Sequence, residues 1–288
     1  MRVKIITSIV ILVLTSNFAF AEDSVYLKSN RKIDGWILDI TDTHVKIETA
    51  ETTLVFSLDT VGYINIKDSS PYITKLVIAN KERQFSSAYE VAMWITFYYF
   101  NTDSKRLLPA IEVLLKDKTY WEPVQKANPI IHFFATALRE DKYELDKFRT
   151  LLNKSDYFQS TILKRIIYEA ENPRDIKPVD AEAFDLIWAE FLATGKPEPV
   201  LKLINSLNWK VADDDPYKYA DLAVLVWSLS ANAEQHSRVK HICEQELKKR
   251  WGISKKRLYE ALNTSSGEIK AKYTLETVIR ADRYRNKR

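Results

Sequence analysis

The spacing of hydrophobic residues changes near residue 86, and this change limits the fold more than any other feature of the sequence. Between residues 25 and 67, apolar residues alternate with polar ones, as in "KIDGWILDI" and "HVKIET". From about Ser86 onward they recur every three or four residues, as in "SSAYEVAMWITFYYF". A period of two is typical of β-strands and a period of 3.6 of α-helices. The sequence therefore predicts an α+β protein that is mostly α-helical, with a small β region near its N-terminus.

The first 21 residues have the three parts of a secretory signal peptide. Arg2 and Lys4 precede the apolar run from Ile5 to Leu14, and "AFA" places small residues at positions −3 and −1 of a cleavage site before Glu22. The apolar run is shorter than a membrane span requires. We therefore expect cleavage after Ala21, a periplasmic or secreted protein, and no transmembrane segment in the mature chain. A retained membrane anchor is the alternative.

Five short strands are predicted within residues 22–68, at 25–28, 32–40, 44–49, 53–57 and 63–66. In the second strand, Ile33, Gly35 and Ile37 share one face, and Trp36, Leu38 and Ile40 share the other. Both faces are apolar, so we expect one to line a barrel and the other to meet a second layer, the helices. A glycine inside a strand indicates a sharp bend or the close approach of a neighbouring strand. The five strands are therefore expected to close into a small barrel.

The stretch "LKSNRKIDGWILDITDTHVKIET", together with the later "VGYINI", resembles the small SH3-like or Sm-like barrels that follow signal peptides in many bacterial envelope proteins. The shared features are the Leu-Lys start followed by a glycine, the polar turn, the Val-x-Ile strand and the final Ile-x-Ile. The resemblance implies a five-stranded barrel in an envelope protein. The sequence lacks the Asp-Asn pairs and basic loop motifs of RNA-binding Sm barrels, so we expect no nucleic acid as a partner.

Capping residues mark the starts of several helices. Ser87 and Glu90 have the spacing of a capping box, in which each side chain meets the backbone of the other. Asp215 followed by Pro216 is typical of the first turn of a helix. Another helix is expected to begin near Asp180.

Glycines mark the expected helix ends, since glycine adopts the left-handed conformation that closes many helices. We expect one helix to end at Gly195 and "SRVKHICEQELKKRWG" to end at Gly252. Residues 69–85 are a connecting segment, for which a helix is preferred over a further strand. The helical domain is expected over 86–263, followed by a basic helix or tail over 264–288.

Four helical segments share a pattern of an aromatic residue, a polar turn and a second apolar helix. They begin at Met93, His132, Ile187 and Leu225, at irregular spacings. The pattern predicts a stack of αα-hairpins and resembles tetratricopeptide-like arrays in architecture. Three tryptophans, Trp94, Trp188 and Trp227, occupy apolar positions of these helices and are expected to be buried between them. The alternative is an aromatic groove that binds peptide or glycan.

The sequence excludes several common chemistries. Its five glycines are too far apart for a dinucleotide, phosphate or nucleophile-elbow loop. No H-E-x-x-H or C-x-x-C is present, and His236 and His241 are spaced so that they would not share a helix face as zinc ligands do. Cys243 is the only cysteine, so no intramolecular disulfide can form. We expect no cofactor and no metal site.

Acidic residues leave one catalytic alternative open, because two carboxylates can hydrolyse a glycosidic bond. The candidates are Glu182, Asp185, Glu190, Asp213, Asp214 and Asp215. The first three fall on a helix with apolar neighbours, which favours a solvated polar face. The last three favour a turn and a helix cap. We therefore assign no residue to a catalytic site.

Positive charge is concentrated near the C-terminus. Residues 248–288 contain 13 Lys or Arg and 4 Asp or Glu, although the net charge of the whole chain is only +4. The preferred interpretation is a solvated terminus that is partly disordered. The alternative is a contact with anionic lipid, polysaccharide or an acidic partner.

These features together predict a non-enzymatic periplasmic or secreted protein that binds another envelope protein as a scaffold. One alternative is a protein that binds anionic envelope polymers or lipid through its basic C-terminus. Another is an envelope enzyme that acts on glycans and has a helical superstructure.

Overall fold

A computed structural model describes residues 23–29, 31–40, 44–49, 52–65, 85, 87–100, 102–122, 124–212 and 215–286. The expected signal peptide, the connecting segment 69–85 except Phe85, and the candidates Asp213 and Asp214 lie outside these residues. Within them the chain is mostly α-helical and has a small β-sheet near its N-terminus, as the change of hydrophobic period predicts.

Five antiparallel strands form the sheet in the order β4-β3-β2-β1-β5. The strands are β1 (Asp23–Leu27), β2 (Lys32–Ile40), β3 (His44–Glu48), β4 (Thr53–Ser57) and β5 (Val61–Asn65). All five predicted strands are therefore present, although β1 and β5 each begin two residues and end one residue earlier than predicted. Within the described residues no ladder joins β4 to β5, so the closure of a barrel stays a prediction.

The buried face of the sheet contains the residues that the period of two placed there. Ile33 and Ile37 in β2 are buried together with Val45 and Ile47 in β3. Ile37 stands opposite Ile47, and the register between β2 and β3 shifts just after this pair, between Ile37 and Asp39. The irregularity in the pairing of β2 with β3 is therefore located between Ile37 and Asp39, and not at Gly35.

Gly35 has the second of its two expected roles, the close approach of a neighbouring strand. A Cβ atom at this position would lie 2.2 Å from the backbone oxygen of Glu48 and 3.1 Å from Cγ1 of Ile47. Because a backbone carbonyl in a ladder cannot move aside, only glycine fits without shifting β3. Gly35 thus fixes how closely β2 and β3 pack.

Eleven α-helices occur within the described residues, joined by loops and short 3-10 turns. They are α1 (Ala88–Thr96), α2 (Leu107–Leu114), α3 (Val124–Leu138), α4 (Lys142–Leu152), α5 (Tyr157–Glu171), α6 (Ala181–Thr194), α7 (Pro197–Ser206), α8 (Pro216–Gln235), α9 (Ser237–Lys249), α10 (Gly252–Asn263) and α11 (Ser266–Asn286). Consecutive helices pack against each other in the pairs α1–α2, α4–α5, α8–α9 and α9–α10.

The predicted caps are confirmed at three helix starts. The Ser87 hydroxyl accepts a hydrogen bond from the Glu90 amide at 3.2 Å. Asp180 accepts one from the Ala183 amide at 2.9 Å. Asp215 likewise accepts one from the Lys218 amide at 2.9 Å, with Pro216 in the first turn of α8. Each contact satisfies a backbone amide that the helix itself leaves unpaired.

The two predicted glycine stops have different outcomes. Gly195 follows α6 with φ of 61°, so this stop is confirmed. Gly252 also has a left-handed φ, of 63°, but it is the first residue of α10. The prediction that Gly252 ends the preceding helix is wrong, because Arg250 and Trp251 already adopt extended conformations after α9.

The chain divides into two compact units. The N-terminal unit comprises Asp23–Ile176 and Trp188–Lys196, and the C-terminal unit comprises Lys177–Ile187 and Pro197–Arg288. Helix α6 contributes its first half to the C-terminal unit and its second half to the N-terminal unit.

Aromatic side chains form the core of the N-terminal unit. All four rings of "FYYF", Phe97 to Phe100, are buried. Burial of four consecutive rings is possible because α1 ends at Thr96. The next residues form a 3-10 turn that lies against β2. Tyr98 packs edge-to-face on Phe133 with centroids 5.3 Å apart, and Tyr99 contacts Phe191 at 4.9 Å.

The three repeat tryptophans are not equally buried. Trp94 is 6% exposed and contacts Phe85, Tyr98 and Phe133. Trp188 is 5% exposed. Trp227 is only partly buried, and the ammonium group of Lys270 lies 5.6 Å from its ring centroid. Burial between helices is therefore confirmed for Trp94 and Trp188 and is wrong for Trp227.

Helix α8 is the central element of the C-terminal unit. It packs against α7, α9, α10 and α11. Cys243, on α9, is 1% exposed, and burial raises the pKa of its thiol to about 12. The cysteine is therefore a small apolar core residue.

Replacing Gly35 by valine should destabilise the N-terminal unit by about 1–3 kcal/mol, because the new side chain overlaps the Glu48 carbonyl. Urea unfolding and limited proteolysis of residues 23–65 would measure the effect. Gly267→Val is the matched control, since nothing lies within 4 Å of a Cβ atom there. Equal stability of the two variants would contradict the close approach of β2 and β3.

Truncating Trp94 to alanine should lower the free energy of unfolding by about 3–5 kcal/mol, because it opens a cavity among aromatic rings. The same change at Trp227 should cost clearly less, since this side chain is partly solvated in the folded protein. Denaturant unfolding of both variants provides the comparison. A larger loss of unfolding free energy for Trp227→Ala than for Trp94→Ala would contradict the partial exposure of the Trp227 ring.

Candidate functional site

Four of the six candidate carboxylates, those of Glu182, Asp185, Glu190 and Asp215, lie among the residues that the structure describes. Asp215 caps α8, so its carboxylate is engaged with the backbone. Glu182 is exposed and Asp185 is partly buried, and these two residues are one turn apart in the first half of α6. Glu190 is also partly buried, but it belongs to the N-terminal unit.

Asp185 is partly buried, whereas the sequence favoured a solvated polar face for this helix. Burial, and then the charge of Glu182, raise the pKa of its carboxyl group to about 7. A carboxyl group with this pKa exchanges its proton near neutral pH, which is a property of general acids and bases. No side-chain hydrogen bond to Asp185 occurs among the described residues. Asp185 is thus one proton-exchanging group without an evident catalytic partner.

A buried polar stripe lies on α3 in the N-terminal unit. It consists of His132 and Thr136 on the helix and of the half-buried Arg139, which directly follows its last residue, and the three recur at the spacing of one helix face. Nδ1 of His132 lies 3.3 Å from Oε2 of Glu169, on α5. Nε2 of His132, Oγ1 of Thr136 and Nε of Arg139 are buried and have no hydrogen-bond partner within the described part of the chain. Burial lowers the pKa of Arg139, and the charges of Glu190 and Glu169 act in the opposite direction.

This stripe can hold ordered water or a small polar group, since buried polar atoms of this kind are normally satisfied. It contains no activated nucleophile, because Thr136 makes no hydrogen bond to a base. In the sequence, His132 drew notice only as the first residue of one of the four helical segments. The spacing of His132, Thr136 and Arg139 was the signal that could have revealed the stripe.

The two closely spaced histidines, His236 and His241, lie near the start of α9. His236 is buried at the junction of α8 and α9, and burial lowers the pKa of its ring to about 3. His241 lies further along α9 and is partly buried. Across the residues that the structure describes, no group of three His, Cys, Asp or Glu side chains could hold a metal ion.

The basic C-terminal region is a packed helix, not a frayed end, as far as Asn286. Helix α11 lies along α8, with Ile269 and Tyr273 buried on the inner face. Tyr273 stacks on Tyr219 of α8 at a centroid distance of 5.8 Å. The hydroxyl of Tyr219 donates a hydrogen bond to Glu276. The guanidinium of Arg280 lies 4.1 Å from the Tyr219 ring centroid.

A second set of contacts fixes the loop that precedes α8. Nη1 of Arg257 donates hydrogen bonds to the carbonyl oxygens of Leu207 and Trp209, at 2.7 and 2.8 Å. Arg280 donates to the carbonyl of Ala212 at 3.1 Å. Two of the cations counted in the basic C-terminal region are therefore structural, because they satisfy backbone carbonyls.

The outer face of α11 is apolar and exposed. Leu275, Val278 and Ile279 are 62%, 53% and 41% exposed, on the side of the helix away from Ile269 and Tyr273. We call these three residues the outer stripe. Exposed leucine, valine and isoleucine that cluster on one helix face are more informative than single exposed apolar residues, since such clusters often mark binding surfaces.

None of the described helices combines the length and apolar character needed to cross a membrane. The chain matches no protein-family model, no curated protein and no solved structure. The candidate surfaces therefore rest on the geometry described above.

Replacing Asp185 by asparagine should make the protein less sensitive to pH. The folded protein keeps a proton on Asp185 up to about pH 7, whereas the unfolded chain releases it near the ordinary value of 3.8. The stability of the wild type should therefore fall as pH rises between these values, and asparagine removes this loss. The melting temperature of the variant should exceed that of the wild type more at neutral pH than in mild acid.

Thermal unfolding over this pH range tests the prediction, with Glu182→Gln as a control that leaves Asp185 in place. The control should raise the melting temperature less, since burial is the larger cause of the shift. Parallel pH profiles for the wild type and Asp185→Asn would show that Asp185 has an ordinary pKa.

Proposed function

We propose that this protein is a non-enzymatic binding protein of the periplasm or extracellular space, and that it binds another protein through the outer stripe of α11. The observation that carries the proposal is the apolar outer face of a helix whose inner face is already packed. The expected signal peptide supports the proposed location.

The spacing of the outer stripe suits a helix or groove of a partner protein. Val278 and Ile279 lie three and four residues after Leu275, so the three side chains form one continuous ridge. A partner protein can bind such a ridge in a hydrophobic groove, where the apolar side chains serve as anchors. Fully burying an exposed side chain of this kind contributes on the order of 1.5–3 kcal/mol, so the three together supply part of the free energy of binding.

The anchoring of α11 favours binding because it holds the stripe in place. The stack of Tyr219 and Tyr273 and the contacts of Arg280 fix the helix on α8. A partner therefore does not have to order the helix when it binds, and less free energy is lost on association.

Charge near the stripe indicates the chemistry of the partner. Arg283 is exposed on α11, and none of the ion pairs between described residues includes it. Lys272 is also exposed, although it pairs with Glu260 at 2.5 Å. We infer that the partner surface is apolar at its centre and acidic at its edge.

Two finer features of the architecture remain part of the proposal. We propose that the N-terminal strands close into an SH3-like barrel, which the close approach of β2 and β3 at Gly35 supports. We also propose that the helices are αα-hairpin repeats, which the packing of consecutive helices supports. The contact between α11 and α8 departs from a simple array of hairpins, because these two helices are separated in the chain by α9 and α10.

A photo-crosslinking residue placed at 275 or 278 should form an adduct with one protein in envelope extracts. The same residue at Tyr143, which is 71% exposed in the N-terminal unit, is the control and should not give this adduct. With the purified partner, the double variant Leu275→Glu and Val278→Glu should weaken binding at least about tenfold, because two charges replace the apolar ridge.

Circular dichroism should show that the double variant keeps its fold, since both residues are exposed. An adduct that forms equally at all three positions would contradict a specific surface. An adduct only with a second copy of the chain would replace the proposal by self-association.

A further inference from the structure

The corner between α9 and α10 has an unusual surface, which the proposed function does not use. It is formed by "KKRWGISKK", residues 248–256, and we call it the basic corner. Trp251 is 84% exposed there, and Ile253 is 47% exposed. A tryptophan that is almost fully solvated is rare, because its ring is among the most favourable groups to bury.

The backbone holds these two side chains outward. Trp251 is extended, with φ of −144° and ψ of 168°, and precedes the first residue of α10. Gly252 then turns the chain with φ of 63°, and nothing lies within 4 Å of a Cβ atom at that position. The hydroxyl of Ser254 donates to the Trp251 carbonyl at 3.2 Å, which fixes the turn. Trp251 and Ile253 thus project from a rigid corner and not from a loose loop.

Lysines surround the two apolar side chains. Lys248, Lys249, Lys255 and Lys256 are all exposed. Lys249 pairs with Glu246 at 3.0 Å, whereas no ion pair between described residues includes the other three. The fold therefore leaves at least three positive charges of the corner unneutralised.

Two of these charges lie where they do not favour the helix. Lys255 and Lys256 belong to the N-terminal part of α10, which begins at Gly252. The partial positive charge at a helix N-terminus disfavours nearby cations. Their placement is better explained by a negatively charged surface outside the protein than by the stability of α10.

We propose that the basic corner binds the surface of an anionic phospholipid bilayer. Trp251 and Ile253 enter the interface between headgroups and acyl chains, and the surrounding lysines contact lipid phosphates. Tryptophan prefers this interface because its ring is apolar and its N–H is polar. Lysines near an anionic leaflet add an attraction that weakens with salt.

A bilayer fits this corner better than a protein partner or a soluble polymer does. The apolar group is small and projects outward, so it does not form the extended ridge or groove of a protein interface. A soluble polyanion would use the lysines but would leave Trp251 and Ile253 in water. Only a surface with anionic headgroups above an apolar layer uses both features of the corner.

Co-sedimentation with vesicles of phosphatidylglycerol and phosphatidylcholine tests the proposal. The wild-type protein should bind these vesicles, should lose binding in high salt, and should not bind phosphatidylcholine alone. Trp251→Ala should lower the partition coefficient roughly tenfold, and the double variant Lys255→Gln and Lys256→Gln roughly 25-fold. All variants share one N-terminus, so any contribution of residues 1–22 is the same in each.

Matched controls are available on exposed positions elsewhere. Tyr217→Ala removes a ring that is 76% exposed, and the double variant Lys154→Gln and Lys164→Gln removes two exposed charges. Both controls should bind as the wild type does. Lipids brominated on the acyl chain should quench wild-type fluorescence more than that of Trp251→Ala.

Three results would overturn the proposal. The first is no binding to the anionic vesicles, or equal binding to phosphatidylcholine alone. The second is an equal loss of binding in the controls and in the corner variants. The third is binding to dextran sulfate as tight as to vesicles, with no effect of Trp251→Ala, which would show a polyanion site instead of a membrane site.

Discussion

The packing of aromatic rings just after α1 is the interaction on which the N-terminal unit depends. Phe97 to Phe100 are all buried, although they are consecutive, because the chain changes there from an α-helix to a 3-10 turn. The turn lies against β2, and its rings reach Phe133 and Phe191. With a single cysteine in the chain, no disulfide can supplement these contacts. The position of the sheet on the helices therefore depends on side-chain packing at this short segment.

The C-terminal unit is organised differently, around one central helix and a set of cations. Arg257 and Arg280 bind backbone carbonyls, and Arg280 also lies on the ring of Tyr219. Lys255, Lys256 and Arg283 are exposed instead. A count of basic residues in the sequence does not distinguish the bound cations from the exposed ones. The distinction depends on how far each side chain is buried and on which group it contacts.

The sequence predicted strands and helix caps correctly where neighbouring residues alone determine the structure. The period of two located all five strands, and Ser87, Asp180 and Asp215 cap helices as their types predict. Gly35 was recognised as a point of close approach, since a glycine inside an apolar strand has few other roles.

Errors arose where tertiary contacts decide the outcome. Gly252 has the left-handed backbone of a helix stop, but α9 ends earlier and the glycine begins the next helix. Trp227 follows the same pattern as Trp94, yet it is only partly buried and has Lys270 beside its ring, whereas Phe85 and Phe133 pack on Trp94. The raised pKa of Asp185 and the outer stripe of α11 also depend on which faces are covered. A single sequence does not contain this information directly.

The burial of Cys243 gives the C-terminal unit a built-in reporter of its own motion. The thiol is enclosed on α9 and its pKa is raised to about 12, so a thiol reagent meets almost no reactive thiolate while the unit is closed. Labelling then requires a local or global opening that exposes α9 to water. Since no other cysteine is present in the chain, the rate of labelling measures the frequency of this opening without any engineered probe.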